Sequence, residues 1–340
     1  MTSTHSRRIL IPPTLKSLRR ESISPDRQVH SFSGDTMGTR WLVKVSLTSE
    51  TKSDGLKDLI IKSLNTVIQQ MSPWEPESDL SFFRNATPGT WVTFAPESFS
   101  VLSRSLEIAQ LTQGIYDPTI AQAVDLLGFG PSEIEVLSTE SIPVRAALDK
   151  CDYRQLQLNS TTQQVLQPGN FAIDLCSIAK GYTVDLIAAT FKQSNITDYY
   201  IEIGGEARGS GCKPNGEPWW CSIAQPPGSQ TQLPETLCAA CDISIATSGN
   251  YVLYHNINGK IIGHLLVPHS LTQQNEVELL SVSTFCDNCM DADAFASALF
   301  LMGIQRGLAF ANQHDIAAIF RCKKDQAFIE LESEMLKELQ

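Results

Sequence analysis

The chain is short of long apolar runs, of basic residues beyond its first twenty positions, and of any export signal. Its longest strongly apolar stretch, Phe295 to Ile304, is too short to cross a bilayer and is broken by a serine and a glycine, so no membrane insertion is expected. The first twenty residues hold five Lys or Arg and no acid, leaving 21 basic against 37 acidic side chains in the remainder. So acidic a body excludes a nucleic-acid surface, whose phosphate contacts need clustered Lys and Arg. The head shows no apolar segment with a cleavage site and no lipid-anchoring cysteine, so secretion is not expected. The basic head, residues 1–29, reads as a disordered tail. Being Arg- and Ser-containing and acid-free, it also matches an import peptide. No internal repeat is visible.

What is present is a globular composition, 42% hydrophobic and 19% charged over 340 residues, enough for one large or two smaller domains. Nine cysteines include two C-x-x-C pairs, Cys238/Cys241 and Cys286/Cys289. Two such pairs can make a tetrahedral zinc site, but the 44 residues between Cys241 and Cys286 exceed a compact zinc ribbon. The other reading is a set of reduced thiols acting as small buried hydrophobes.

Along the chain, 30–47 reads as a Gly-containing turn running into a strand, with Trp41, Val43 and Val45 alternating against polar neighbours. Leu56, Leu59, Ile60, Leu64, Val67 and Ile68 predict a helix, and 71–86 reads as an ordered loop. A second helix is expected over 97–113, and a short one after Asp117-Pro118, where proline keeps Asp117 extended. Residues 131–150 read as a connection and 153–169 as a hairpin. The stretch 171–193 reads as a buried strand passing into a helix capped by Ser177. Strands are then expected in DYYIEIGG, PWWCSIAQ, SIATSG, KIIGHLLVP and LLSVSTF, with a helix from 289 and a last strand in IAAIFRC. Strands grouped after helices make an α+β fold.

The chemistry-bearing positions are few. From Ala294 to Met302 the only polar side chain is Ser297, and a helix apolar all round is a buried one. Asp293 and Ser297, four apart, share one helix face and offer a carboxylate and a hydroxyl, a partial shell for Mg²⁺. Helix capping is the other reading of acids here, and it accounts well for Asp291. Lys180 falls in the first turn of its helix, where the dipole disfavours a cation. A phosphate at that N-terminus would resolve the conflict, and a solvated lysine is the alternative. The glycines of IEIGGEARGSG do not open a helix, so they fail as a dinucleotide motif and more simply allow something close to the backbone. Thr247 and Ser248 offer hydroxyls beside a flexible turn. His264, in an apolar strand, is either a satisfied core residue or a catalyst.

Seven blocks resemble, in order, those of the FAD:protein FMN transferase (ApbE) family: GDTMGTRW, MSPWEPESDLSFF, GIYDPTI, IDLCSIAKGYTVD, IEIGGEARGSGCKPNGEPW, IATSGNY and MDADAFASALFLMG. They span about residues 30 to 320. The resemblance implies a single α+β, T-fold-related domain over 30–325 with mixed or antiparallel sheets and flanking helices, followed by a tail or short helix at 326–340. It implies a Mg²⁺-dependent enzyme that takes FAD, transfers its FMN moiety to a threonine of an acceptor protein and releases AMP. Hydrolysis of FAD to FMN and AMP, and flavin binding without catalysis, are the alternatives. Carried over position by position, the metal shell falls on the Ala179 carbonyl, Asp293 and Ser297, and the proton acceptor on His264. The FAD pocket falls on Met37, Gly38, Asp117, Lys180, Glu202, Gly204, Gly205, Glu206, Thr247 and Ser248, with Trp74 and Phe82 as stacking candidates. The chain departs from the family pattern at Ser297, which replaces a usual Thr, and at Cys176 and Ser177, which replace glycines. It departs again at Val267, where Asp is common. Family members outside the cytoplasm carry an export signal, so a cytoplasmic protein is expected, with organellar import as the alternative.

Overall fold

The computed structural model describes residues 7–17, 23–48, 55–132, 136–251, 253–257, 260–268 and 277–340. They fall into two compact units, one from Met1–Leu64, Lys180–Gly249 and Glu276–Gln340, the other from Asn65–Ala179 and Asn250–Asn275. The stretch 30–325, expected as one domain, contributes to both units.

Numbered along the chain, the first unit holds an eight-stranded sheet. Its strands are β2 (Arg27–Thr36), β3 (Thr39–Thr48), β7 (Tyr199–Ile203), β8 (Glu206–Ser210), β11 (Ile243–Gly249), β14 (Glu278–Cys286), β15 (Ala317–Lys324) and β16 (Ala327–Glu332). They lie in the order β16-β15-β14-β11-β8-β7-β3-β2, every pair antiparallel. Strand alternation sends neighbouring side chains to opposite faces, and both faces are covered. On one, Trp41, Val43, Val45, Ile201 and Ile203 meet Leu56, Ile60 and Leu64 of α1 (Leu56–Met71) and Val184, Ile187 and Phe191 of α6 (Ala179–Gln193). On the same face, Ala246 receives Ala292 and Ala296 of α7 (Cys289–Gln313), small residues that let helix and sheet approach closely. The other face, with Tyr200, Ala207, Ile245 and Ile319, packs on Leu10, Trp219, Cys221, Ile223 and Cys238. These last belong to a three-stranded sheet of β1 (Arg7–Leu10), β10 (Glu235–Ala240) and β9 (Trp219–Ser222) and the loop after it. By length and composition alone α7 could cross a membrane, but two thirds of its most apolar window is buried inside the unit. Its helical backbone is interrupted at Gly303, whose φ is 73°.

The second unit contains α2 (Asp79–Asn85), α3 (Pro96–Leu111), α4 (Ala121–Leu126) and α5 (Ile142–Lys150). It also holds a small sheet of β4 (Trp91–Thr93), β6 (Gln164–Leu166) and β5 (Gln157–Asn159), and a hairpin of β12 (Tyr254–Ile257) with β13 (Lys260–Gly263). Ala123, Val124, Leu127, Phe129, Val144, Leu148 and Ile262 form its core.

Several expectations are corrected. The head is folded over 7–17: β1 pairs in parallel with β10, Leu10 is buried, and Arg8 is ion-paired with Glu330 and Glu332. The acidic body thus binds its own basic head; residues 1–6 and 18–22 lie outside the described residues. The segment before Met37 is a strand, β2, and not only a turn. The C-terminal tail supplies β16 before a short 3-10 helix at Glu334–Leu339. Residues 71–86 contain α2, started by Ser78, whose hydroxyl accepts from Ser81 N at 3.1 Å. The connection 131–150 contains α5, because Val144, Ala147 and Leu148 form a buried helical stripe. Residues 171–175 are buried without forming a strand. The Gln167 amide oxygen accepts from Phe171 N and the Pro118 carbonyl from Asp174 N, doing the work of a ladder. Finally, β13 ends at Gly263, leaving His264 just past the strand.

Candidate functional site

In the first unit the N-terminal turns of α6 and α7 meet at one side of the sheet. Asn288 caps α7, its side-chain oxygen accepting from Asp291 N at 2.7 Å and its amide donating to Asp291 Oδ2 at 3.0 Å. Asp291 is thereby used at the helix start. Asp293, one turn in, is 2% exposed, and its Oδ2 accepts from Gly181 N of α6 at 3.0 Å. The approach is close enough that a Cβ on Gly181 would lie 2.2 Å from the Cys289 carbonyl oxygen.

Lys180 does not stand free in solvent. Its Nζ is 3.3 Å from Glu206 Oε1 and 3.7 Å from Asp293 Oδ1. Glu206, at the start of β8, is 4% exposed, and its Oε2 has no hydrogen-bond partner among the described residues. Burial pushes the Glu206 carboxyl up to about 8, opposed by Lys180 and reinforced by the charge of Asp293. Burial also raises Asp293, against the pull of Lys180 and the Gly181 amide. Ser297, one turn beyond Asp293, shares a 2.9 Å hydrogen bond with Ser248 Oγ of β11. Thr247 faces the other side of that strand and bonds Ser283 Oγ at 2.8 Å.

Two tight turns lie beside this group. Met37 and Gly38, with φ of 47° and 70°, close the β2–β3 hairpin, and Gly204 and Gly205, at 64° and 109°, close β7–β8. Glu202 Oε1 accepts from Gly205 N at 3.2 Å, and Gly204 N donates to the Arg40 carbonyl at 3.0 Å. A Cβ on Gly204 would press on Thr39 at 2.8 Å, so glycine sets both the turn and the spacing there.

The second unit holds the remaining candidates. Asp117 is buried and spends its oxygens on Thr119 N, Thr119 Oγ1 and Tyr153 N, at 2.8, 2.7 and 3.0 Å. Burial raises its carboxyl all the same. Trp74 and Phe82 are 55% and 54% exposed, available surfaces and not core. Trp74, Phe129, Asp174 and Cys176 help line a narrow cleft, and a wider one of about 830 Å³ is lined by Arg84, Gln122, Asp125 and Lys150. His264 Nδ1 lies 3.2 Å from the Leu253 carbonyl oxygen, and its ring meets the Phe129 ring edge-on at 6.2 Å. His255 stacks on the same Phe129 at 4.4 Å. Ala179 is the buried first residue of α6, and the Ser177 hydroxyl, expected as its cap, donates to Tyr116 Oη at 3.2 Å.

Two functional neighbours carried no sequence signal. Asp185 Oδ2 accepts from Met290 N at 2.9 Å, and Arg208 donates to Asp185 Oδ1 at 2.6 Å, fixing the start of α7 against α6 and β8. Among the described residues, no group of three or more His, Cys, Asp or Glu converges as a metal cluster, so the two C-x-x-C pairs form no zinc site. None of the four is disulfide-bonded; Cys286 is half-buried and the other three are buried. The Asp293 group is a different chemistry. Two buried carboxylates, one with an oxygen unpaired among the described residues, and the Ser248 and Ser297 hydroxyls are hard oxygen donors, the chemistry that suits Mg²⁺.

The model of the ApbE family matches residues 37–320. The FAD:protein FMN transferase of Vibrio cholerae is 32% identical over 316 residues, covering 92% of this chain and 93% of that protein. That of Haemophilus influenzae is 29% identical over 326 residues, 92% of each. Among solved structures, the apo flavinyl transferase ApbE of Pseudomonas stutzeri superposes with a TM-score of 0.83 at 26% identity, over 92% of this chain and 97% of that one. The flavin transferase ApbE of Vibrio cholerae gives 0.83 at 28%, over 92% and 100%. With a match that runs through most of its length, the chain belongs to the ApbE family.

Proposed function

We propose that the protein is a Mg²⁺-dependent transferase that moves the FMN moiety of FAD onto a threonine hydroxyl of an acceptor protein, releasing AMP. Family membership supports flavin transfer to protein. The observation that carries the rest is the buried Asp293–Lys180–Glu206 group beside Ser297, an arrangement that costs stability unless it serves a ligand. Asp293, Ser297 and the Ala179 carbonyl would hold Mg²⁺. The ion supplies neutralisation of the pyrophosphate charge as it develops.

The chain's own residues supply position and proton transfer. Gly181 N holds the Asp293 carboxylate in one orientation. Gly38, Gly204 and Gly205 leave backbone uncovered at the two turns, where a ligand can approach closely, and Met37 sets the first turn beside Gly38. Trp74 offers an exposed ring for stacking. With Nδ1–H directed at the Leu253 carbonyl, a neutral His264 keeps Nε2 as its basic nitrogen. That nitrogen takes the proton of the attacking threonine hydroxyl, the oxygen bonds the FMN phosphorus, and AMP leaves with the electron pair of the broken P–O bond.

The test is AMP release from FAD with and without Mg²⁺, in the presence of a threonine-bearing peptide. Flavin fluorescence fixed to the peptide together with AMP, both lost in Asp293→Ala, is the expected result. AMP without labelled peptide would indicate hydrolysis, and bound FAD with no AMP a flavin-binding protein.

A further inference from the structure

We propose that Lys180 is a built-in counter-cation that occupies the Asp293–Glu206 site until a divalent ion displaces it, so that metal and FAD bind cooperatively. The inference rests on the metal site proposed above. Its starting point is charge. Asp293 and Glu206 are both nearly inaccessible, and a buried carboxylate needs a compensating charge. Lys180 Nζ reaches both, at 3.7 and 3.3 Å. With both carboxyls ionised, one ammonium leaves a unit of negative charge uncompensated, and among the described residues Glu206 Oε2 has no donor. A divalent ion balances the pair completely, and with the ammonium still in place the site would be over-charged. Entry of the ion therefore expels the ammonium.

The expelled group has a destination. Lys180 is the second residue of α6, where the helix dipole opposes a cation and favours an anion. Released from the carboxylates, its ammonium pairs with the phosphate oxygens of FAD. The lysine thus penalises metal binding in the free protein and rewards it when the dinucleotide is present, which is a coupling free energy between two ligands.

The experiment is Mn²⁺ titration of the full-length protein, reading free Mn²⁺ by electron paramagnetic resonance, without and then with FAD. Wild type is compared with Lys180→Met and Lys180→Gln, whose folding is checked by thermal unfolding, and with Asp293→Ala. Both lysine variants are expected to bind Mn²⁺ about tenfold or more tightly than wild type without FAD. FAD is expected to tighten Mn²⁺ binding in wild type and to do so several-fold less in the variants. Folded lysine variants that bind Mn²⁺ equally or more weakly without FAD overturn the counter-cation role. If neither wild type nor variant binds Mn²⁺ even with FAD, or if Asp293→Ala binds as wild type does, the metal site itself is wrong and the inference falls with it.

Discussion

Gly181 shows how much of the site depends on a missing side chain. A methyl there would lie 2.2 Å from the Cys289 carbonyl oxygen and 2.8 Å from Asp293 Cβ, both on α7. Gly181→Ala is expected to push the two helices apart, destabilising the protein by about 1–3 kcal/mol in urea unfolding and weakening Mn²⁺ binding as the Asp293 carboxylate loses its amide donor. Asp293 and Ser297 were legible in the sequence because their relation is local, four residues on one helix. Glu206 entered only through the family blocks, and Ser248 otherwise only as a hydroxyl beside a turn. Gly181, Asp185 and Arg208 were not legible, because their roles exist only once distant segments meet: Gly181 and Asp293 are 112 positions apart. Lys180 was read as an oddity of its helix end, correctly, but its partners lie on other elements.

Strand β1 makes the same point for elements. It adds a parallel edge to β10 and brings Arg8 to Glu330, Glu332 and Thr236, while the fully buried Arg321 shares Glu330 and Thr236. Arg8→Ala leaves Glu330 with Arg321 and Glu332 with Gln340 Nε2, and a loss of about 1–3 kcal/mol is expected from denaturant unfolding. Deleting the first seventeen residues should cost more, because the Leu10 contacts go as well. Composition hid this strand, since a basic, acid-free head looks unstructured until the acids that receive it are known. Strand β2 was hidden because Ser31, Ser33 and Asp35 are exposed and leave only a faint alternation. By contrast, the buried Trp41, Val43 and Val45 of β3 and the stripe of α1 declared themselves by period alone.

At the scale of the whole molecule, the free buried thiols set the alkaline limit. Burial pushes Cys151 up to about 12, and Cys241 and Cys322 up to about 11, from an ordinary value of 9. Below pH 9 both folded and unfolded chains hold these protons. Between pH 9 and 11 the unfolded chain releases protons that the native state keeps, so stability is expected to fall as pH rises through that window. Urea midpoints at pH 8, 9.5 and 10.5 measure it, and Cys322→Ala should flatten the decline. The sheet order has a consequence for synthesis. Val45 of β3 pairs with Tyr199 of β7, so on the ribosome the β2–β3 hairpin must wait, one edge unpaired, while the segment from 65 to 179 is made. That segment in turn shares its core with Ile262 and is not complete until the later hairpin emerges. Nascent chains arrested before residue 199 would therefore carry an open β-edge, prone to aggregation and open to chaperone capture.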